Sequence, residues 1–190
     1  MDKSGSRRMI LHADYSAMAD ASVIEARLMI ASMLGPNASV PAGSDDHDDR
    51  RIWKALALLS EAQAICESLN AEQRHAEAGW KWLCLATKLK AVMDVVNQVR
   101  EESPAFRERV YRKWVRLCEA RPDPVVYWHF IDVERDRCAT LDRSPLRWVA
   151  KRRRRIWVVD GGMFEGYATD DLSAKAIKWL AQYVADLHAQ

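Results

Sequence analysis

Trp80-Lys81-Trp82-Leu83-Cys84-Leu85-Ala86-Thr87-Lys88-Leu89-Lys90-Ala91-Val92-Met93-Asp94-Val95-Val96-Asn97-Gln98-Val99 is the stretch that decides the fold class. Within it Trp82, Leu85, Leu89, Val92, Val96 and Val99 recur every three or four residues. A helix turns once per 3.6 residues, so this spacing lines one face with apolar side chains, whereas a half-buried strand would alternate. The pattern predicts a helix that begins near Ala71 and stops before Ser103-Pro104, because proline cannot continue it.

Working outward, a second amphipathic stripe opens within Ser44-Asp45-Asp46-His47-Asp48-Asp49. It runs through Ile52, Leu56, Leu59, Gln63 and Cys66 toward Leu69-Asn70, and the two helices should pack antiparallel. Residues 13–34 place Met18, Ala21, Ile24, Leu28 and Ala31 at helical spacing and end at Gly35-Pro36, a strong stop. Residues 1–12 read as a flexible polar start and 35–45 as a mobile loop. Downstream, Phe106, Val110, Trp114 and Leu117 mark a shorter helix closed by Pro122-Asp123-Pro124. Tyr127, Ile131, Glu134, Cys138 and Leu141 share a face of the next, expected over 125–142. Ile156-Trp157-Val158-Val159 before Asp160-Gly161-Gly162 resembles a strand entering a tight turn, a hairpin-like segment near 154–168. A last helix from Asp171, capped by Thr169 or Asp170, buries Leu172, Ala176, Trp179, Leu180, Tyr183 and Leu187. The expectation is one all-α domain over 1–190, a bundle of about six helices.

Composition narrows the class without naming a reaction. Hydrophobic residues make up 49% and charged residues 29%, with 7 Gly and 6 Pro, which excludes collagen-like, low-complexity and wholly disordered chains. The 29 basic and 27 acidic side chains leave a net charge of +2, so any electrostatic site must be local. Cys66, Cys84, Cys118 and Cys138 stand apart inside apolar patterns, as buried thiols do, and no C-x-x-C pair marks a disulfide or zinc site. No segment has the length of a signal-peptide core or the ~20 apolar residues of a membrane span, so the simplest compartment is the cytoplasm. Neither a metal nor another cofactor is expected.

Several constellations invite chemistry. Asp45-Asp46-His47-Asp48-Asp49 holds metal-ligand types, but acidic residues in a first helical turn are already explained by the helix dipole, and consecutive residues splay around the axis. Lys151-Arg152-Arg153-Arg154-Arg155, with Arg143, Arg147, Trp148 and Trp157 about it, is the most concentrated charge. Adjacent cations repel one another and are relieved by phosphates, while flanking indoles could stack on bases. The opposing reading is a solvated loop, or arginines paired with acidic neighbours. His129 has no serine or cysteine at a spacing that would make it a nucleophile's base. Glu134 falls on the apolar stripe, where a charge must be paired; Lys88 or Lys90 is the expected partner.

Tyr127-Trp128-His129-Phe130-Ile131-Asp132-Val133-Glu134-Arg135-Asp136-Arg137 resembles the aromatic-x-Phe-Ile-x-x-Glu-Arg-Asn/Asp segment of small helical bacterial and phage-related proteins whose plan is similar to the HEPN superfamily. Gly161 to Gly166 and the aromatic last helix resemble the same group. The resemblance covers roughly the last third of the chain. It implies a HEPN-like bundle and a phosphate-binding groove. HEPN ribonucleases set an Arg-polar pair and, four to six residues beyond the polar residue, a His, which together act on the 2′-hydroxyl and the phosphate. Here Arg135-Asp136 is followed by Thr140, Leu141 and Asp142 at those positions, and none replaces the histidine.

The leading expectation is therefore a noncatalytic protein, in a prophage, defence or toxin-antitoxin setting, that binds nucleic acid or nucleotide phosphates. The candidate contacts are Glu134, Arg135, Arg137, Lys151, Arg152, Arg153, Arg154 and Arg155. A ribonuclease using Glu134, Arg135 and His129 is the enzymatic rival. The third reading is a homodimer or protein-interaction module anchored by some of the 8 Trp.

Overall fold

The helix read from residues 80–99 is the centre of the molecule. In the computed structural model, which describes residues 47–98, 103–151 and 154–188, the elements are α1 (His47–Asn70), α2 (His75–Asn97), α3 (Pro104–Glu119), a π-helical turn (Tyr127–Ile131), α4 (Glu134–Thr140), β1 (Leu146–Lys151), β2 (Arg154–Val159) and α5 (Thr169–His188). The segments expected at 1–12, 13–34 and 35–45 lie outside the described residues, as do Arg152 and Arg153. The architecture is mostly helical with one small antiparallel sheet. No described helix is long and apolar enough to cross a membrane.

α2 packs against α1, α3, the π turn, α4, β1 and α5, and its Trp82, Leu85, Leu89, Val92 and Val96 are fully buried. α1 runs antiparallel to it, as Arg51 Nη1 donating to Val95 O, the Lys88–Glu61 ion pair and Lys81 Nζ donating to Ser68 O show at successive levels. α2 starts at His75, not near Ala71, because Glu72 offers its backbone neighbours something other than a helix. Glu72 Oε1 accepts from the amides of Gln73 and Arg74, both at 3.0 Å, and Oε2 accepts from Lys81 at 2.7 Å. These donors, Lys81 first, hold the Glu72 carboxyl at about 2 against an ordinary 4.5. A depressed carboxyl stabilises the fold fully above its unperturbed value and ceases to do so as pH falls through the folded one. Glu72→Gln should therefore lower Tm at pH 7, and the gap to the unsubstituted protein should close between pH 4.5 and 2. A gap that stays constant over that range would remove the role given to this carboxylate.

Ser103 caps α3 by accepting from Phe106 N at 3.1 Å, and Pro104 stands at the first helical position, where its missing N–H costs nothing. Phe106, Val110 and Leu117 turn inward, and Lys113 reaches across to Asp186 of α5 at 2.6 Å.

The helix expected over 125–142 is two pieces. Asp132 N donates to Tyr127 O, a bond five residues back, so the backbone widens into a π turn before α4 begins at Glu134. The wider turn lets Tyr127, Trp128, Phe130 and Ile131 all bury. Phe130 meets Trp82 at 5.3 Å between ring centroids, and Tyr127 stacks on Trp179 at 5.2 Å. The aromatic pattern that suggested one helix thus reports a local core rather than one regular stripe.

The hairpin is also displaced from its expected place. It pairs β1 with β2 over residues 146–159, and residues 160–168 return the chain to α5, with only Val158 bridging Ala168. Ser173, Ala174, Ala176 and Ala181 keep the buried side of α5 narrow where it packs on α1. Thr169 Oγ1 donates to Trp157 O, so α5 opens at Thr169, two residues ahead of the expected start.

Candidate functional site

Glu134 is 4% exposed, and it is the one acidic or basic residue buried among the described residues. Trp82 Nε1 donates to its Oε1 at 2.7 Å, Arg137 Nη2 to the same oxygen at 2.6 Å, and Arg137 Nε to Oε2 at 2.7 Å. Cys138 Sγ adds a weak contact at 3.4 Å. A carboxylate offers about four acceptor sites, and four donors converge here. Three of these bonds fall on Oε1 and one on Oε2, so Glu134 ties α2, α4 and Arg137 together from inside the core.

The partner is Arg137, three residues along the same helix, rather than Lys88 or Lys90. Lys88 pairs with Glu61 of α1. Lys90 donates to Asp132 O at 2.8 Å and to Asp136 at 3.3 Å. Spacing alone pointed to a neighbouring helix, but the π turn rotates α4 so that an i, i+3 bidentate pair closes beneath the indole of Trp82. Glu134 in turn holds the Arg137 guanidinium above its ordinary range, chiefly by these hydrogen bonds. Burial, with the Glu134 charge beside it, pushes the Cys138 thiol up to about 12, so this thiol is not a nucleophile.

Arg137 reaches one step further. Its Nη1 donates to Asp160 O at 3.1 Å, tying α4 to the turn after β2. Gly162 makes room for that reach: at φ +76° it occupies a conformation side chains avoid, and an added Cβ would stand 3.3 Å from Arg137 Cδ. Gly162→Ala should cost about 1–2 kcal/mol from the left-handed backbone alone, measured by urea denaturation. An unchanged midpoint would show that the turn relaxes freely.

Arg135 lies on the opposite side of α4, 43% exposed, with Nε and Nη2 both donating to Asp136 Oδ1 at 2.8 and 2.6 Å. Arg135 and Lys90 hold the Asp136 carboxyl below its usual range. The candidate residues of α4 are thus divided: Arg137 is committed inward and Arg135 faces water. His129 stands half-buried in the π turn, separated from Arg135 by the break between the two helical pieces.

The described part of the basic run lies on the two strands. Lys151 ends β1, Arg154 and Arg155 begin β2, and the register sets Lys151 opposite Arg154 and Ala150 opposite Arg155. Arg155 is exposed. The indoles expected to stack on bases are engaged instead. Trp148 and Trp157 stack on each other at 3.8 Å between centroids, Trp157 is 3% exposed, and its Nε1 donates to Glu72 O at 3.0 Å. The tryptophans therefore anchor the ribbon to the α1–α2 corner, and the cations stand at its free end. Arg143 and Arg147 lie toward the other end, 3.6 and 3.5 Å from Asp160.

β1 was the element that sequence reading missed. The signal was Leu146, Trp148 and Ala150 alternating with Arg147, Val149 and Lys151, hidden by the charge around it. None of the four cysteines is in a disulfide, and Cys118 is exposed rather than buried as its pattern suggested. Among the described residues no group of His, Cys, Asp and Glu could hold a metal ion. Comparison with family models, with curated proteins and with solved structures finds no match to this chain.

Proposed function

We propose that this chain is a noncatalytic, HEPN-like nucleic-acid-binding protein whose contact is the basic β-hairpin. The observation that carries the reading is the hairpin register. It gathers Lys151, Arg154 and Arg155 into the last two rungs of a two-stranded ribbon, and Arg152 and Arg153 complete the same run in sequence. A ribbon of that width fits a nucleic-acid groove, and five clustered cations gain most when condensed counterions are released from phosphates. The net charge of +2 leaves this end of the molecule as the local site that composition demanded.

The geometry of α4 supports the noncatalytic half of the reading. Glu134 is buried and bonded to Trp82 and Arg137, burial raises the Cys138 thiol, and Thr140, Leu141 and Asp142 stand where a HEPN histidine would. Arg135, half-exposed beside Asp136, is the second phosphate contact of this reading.

Binding should be read by fluorescence anisotropy with a labelled single strand of about 20 nucleotides and a duplex of equal length, followed by a gel for strand integrity. Affinity is expected to fall by at least tenfold between about 50 and 200 mM salt, with the RNA left intact. Equal affinity at the two salt concentrations sinks the electrostatic contact, and time-dependent cleavage sinks the noncatalytic reading.

A further inference from the structure

The two edges of the hairpin differ, and the hydrogen bonds of β2 show which backbone groups of β1 face outward. Val159 N donates to Tyr167 O and Val159 O accepts from Gly166 N, both at 2.9 Å, so both groups of Val159 point away from β1. Along a strand the backbone groups of successive residues point to alternate sides. Val158, Ile156 and Arg154 therefore face β1, where the register sets them opposite Arg147, Val149 and Lys151. Asp160 N, donating to Pro145 O at 2.7 Å, continues the same phase. By alternation Leu146, Trp148 and Ala150 turn their N–H and C=O groups to the outer edge of β1. Ser144 Oγ accepts from Leu146 N at 3.3 Å. No third strand pairs with this edge, and no described group bonds to the outward N–H and C=O of Trp148 or Ala150. Ala150 is exposed, and Trp148 and Val149 are half-buried.

An open edge of this kind is a template for one more strand, and charge selects which. Residues 142–160 hold seven cations against two carboxylates, and Arg143, Arg147 and Arg155 are exposed. Arg143 and Arg147 share one carboxylate, that of Asp160, at 3.6 and 3.5 Å. A second copy of β1, paired antiparallel through Trp148 and Ala150, would twice set position 147 opposite position 151, cation against cation, and like charges directly opposite destabilise a sheet. A strand with a carboxylate at every second position gains at the same places.

We propose that the outer edge of β1 is a docking site for an extended acidic segment of another protein, which adds as a third strand by pairing its backbone with Trp148 and Ala150 and sets alternate carboxylates on the face of Arg147. The inference rests on the hydrogen-bonding phase of the hairpin and is independent of nucleic-acid binding.

Amide hydrogen exchange of the full chain, read residue by residue by NMR, tests it with a capped synthetic peptide of alternating glutamate and valine. In the free protein the Trp148 and Ala150 amides should exchange about tenfold or more faster than those of Arg147 and Val149, and saturating peptide should slow the outward pair by about tenfold. Outward amides that are already slow without the peptide, or unchanged with it, overturn the proposal. A peptide with lysine in place of glutamate should leave both amides fast; equal slowing by it overturns the selection by charge. Ala150→Pro removes an outward donor and no bond of the ladder, which an edge strand tolerates, so the circular dichroism spectrum should hold while affinity for the acidic peptide falls about tenfold. Undiminished affinity in a folded variant overturns the edge as the contact. The unsubstituted protein gives the same answer through the peptide: N-methylation of every second amide should abolish the slowing in one phase and spare it in the other, and an equal effect in both phases overturns the proposal.

Discussion

Glu134→Ala is expected to cost about 3–5 kcal/mol, a large part of the roughly 5–15 kcal/mol that holds a domain of this size together. The substitution leaves the Trp82 indole N–H without its acceptor inside the core and strips Arg137 of a bidentate partner while its guanidinium remains half-buried. Both losses are of the expensive kind, in which one member of a buried polar set is removed and the other stays. Arg137→Ala should be damaging for the mirror reason, since it leaves a 4%-exposed carboxylate with an indole as its only strong donor. The double substitution should then cost clearly less than the sum of the two singles, with a coupling energy of about 1–3 kcal/mol in a double-mutant cycle followed by urea denaturation. Glu134→Gln gives the graded control, because it can keep an acceptor for Trp82 while losing the charge. A Glu134→Ala protein within 1 kcal/mol of the parent would mean that the cluster is incidental to the fold.

Replacing Arg152, Arg153, Arg154 and Arg155 together by Ser is expected to remove most of the affinity for nucleic acid while leaving the helical circular dichroism spectrum unchanged. The size follows from counterion release. Each phosphate contact contributes about 0.7–0.9 to the slope of log affinity against log salt, so four lost contacts should flatten the slope by about 3–4. At moderate salt this corresponds to a weakening of about 10²–10³-fold. The fold should tolerate the change because the hairpin is held elsewhere: the Trp148–Trp157 stack, the Trp157 bond to Glu72 O and the burial of Leu146 and Val159 all lie toward its rooted end. A variant that keeps both its slope and its affinity would place the contact away from the hairpin. One that loses affinity with no change in slope would point to an uncharged contact instead.

Neighbouring arginines of α4 have opposite surroundings. Arg135 and Arg137 are two residues apart, and in sequence both were candidates for a phosphate. Two residues on a helix is 200° of rotation, so α4 cannot present both to the same ligand. Burial decides which one faces solvent. Arg137 turns to the indole-lined carboxylate and to Asp160, whereas Arg135 turns to water.

Sequence by itself determined the helical class, the antiparallel pairing of the first two described helices, the position of α3 and the apolar face of α5. These depend on side-chain period and on local stops such as Ser103-Pro104, both of which act over a few residues. It also located the most concentrated charge, at 151–155, and flagged Glu134 as a charge that had to be paired. What only the tertiary structure decided is who pairs with whom. Glu72 unwinds the start of α2 because Lys81 and two amides meet its carboxylate; the π turn forms because four large side chains bury more area than a regular helix would allow there. Trp82, 52 residues upstream, is the group that fixes Glu134. Lys151, Arg154 and Arg155 come to the end of a ribbon because Trp148 finds Trp157 across nine positions and Trp157 finds the α1–α2 corner. Such contacts are set by the mutual burial of residues distant in the chain, and no period along the sequence encodes them.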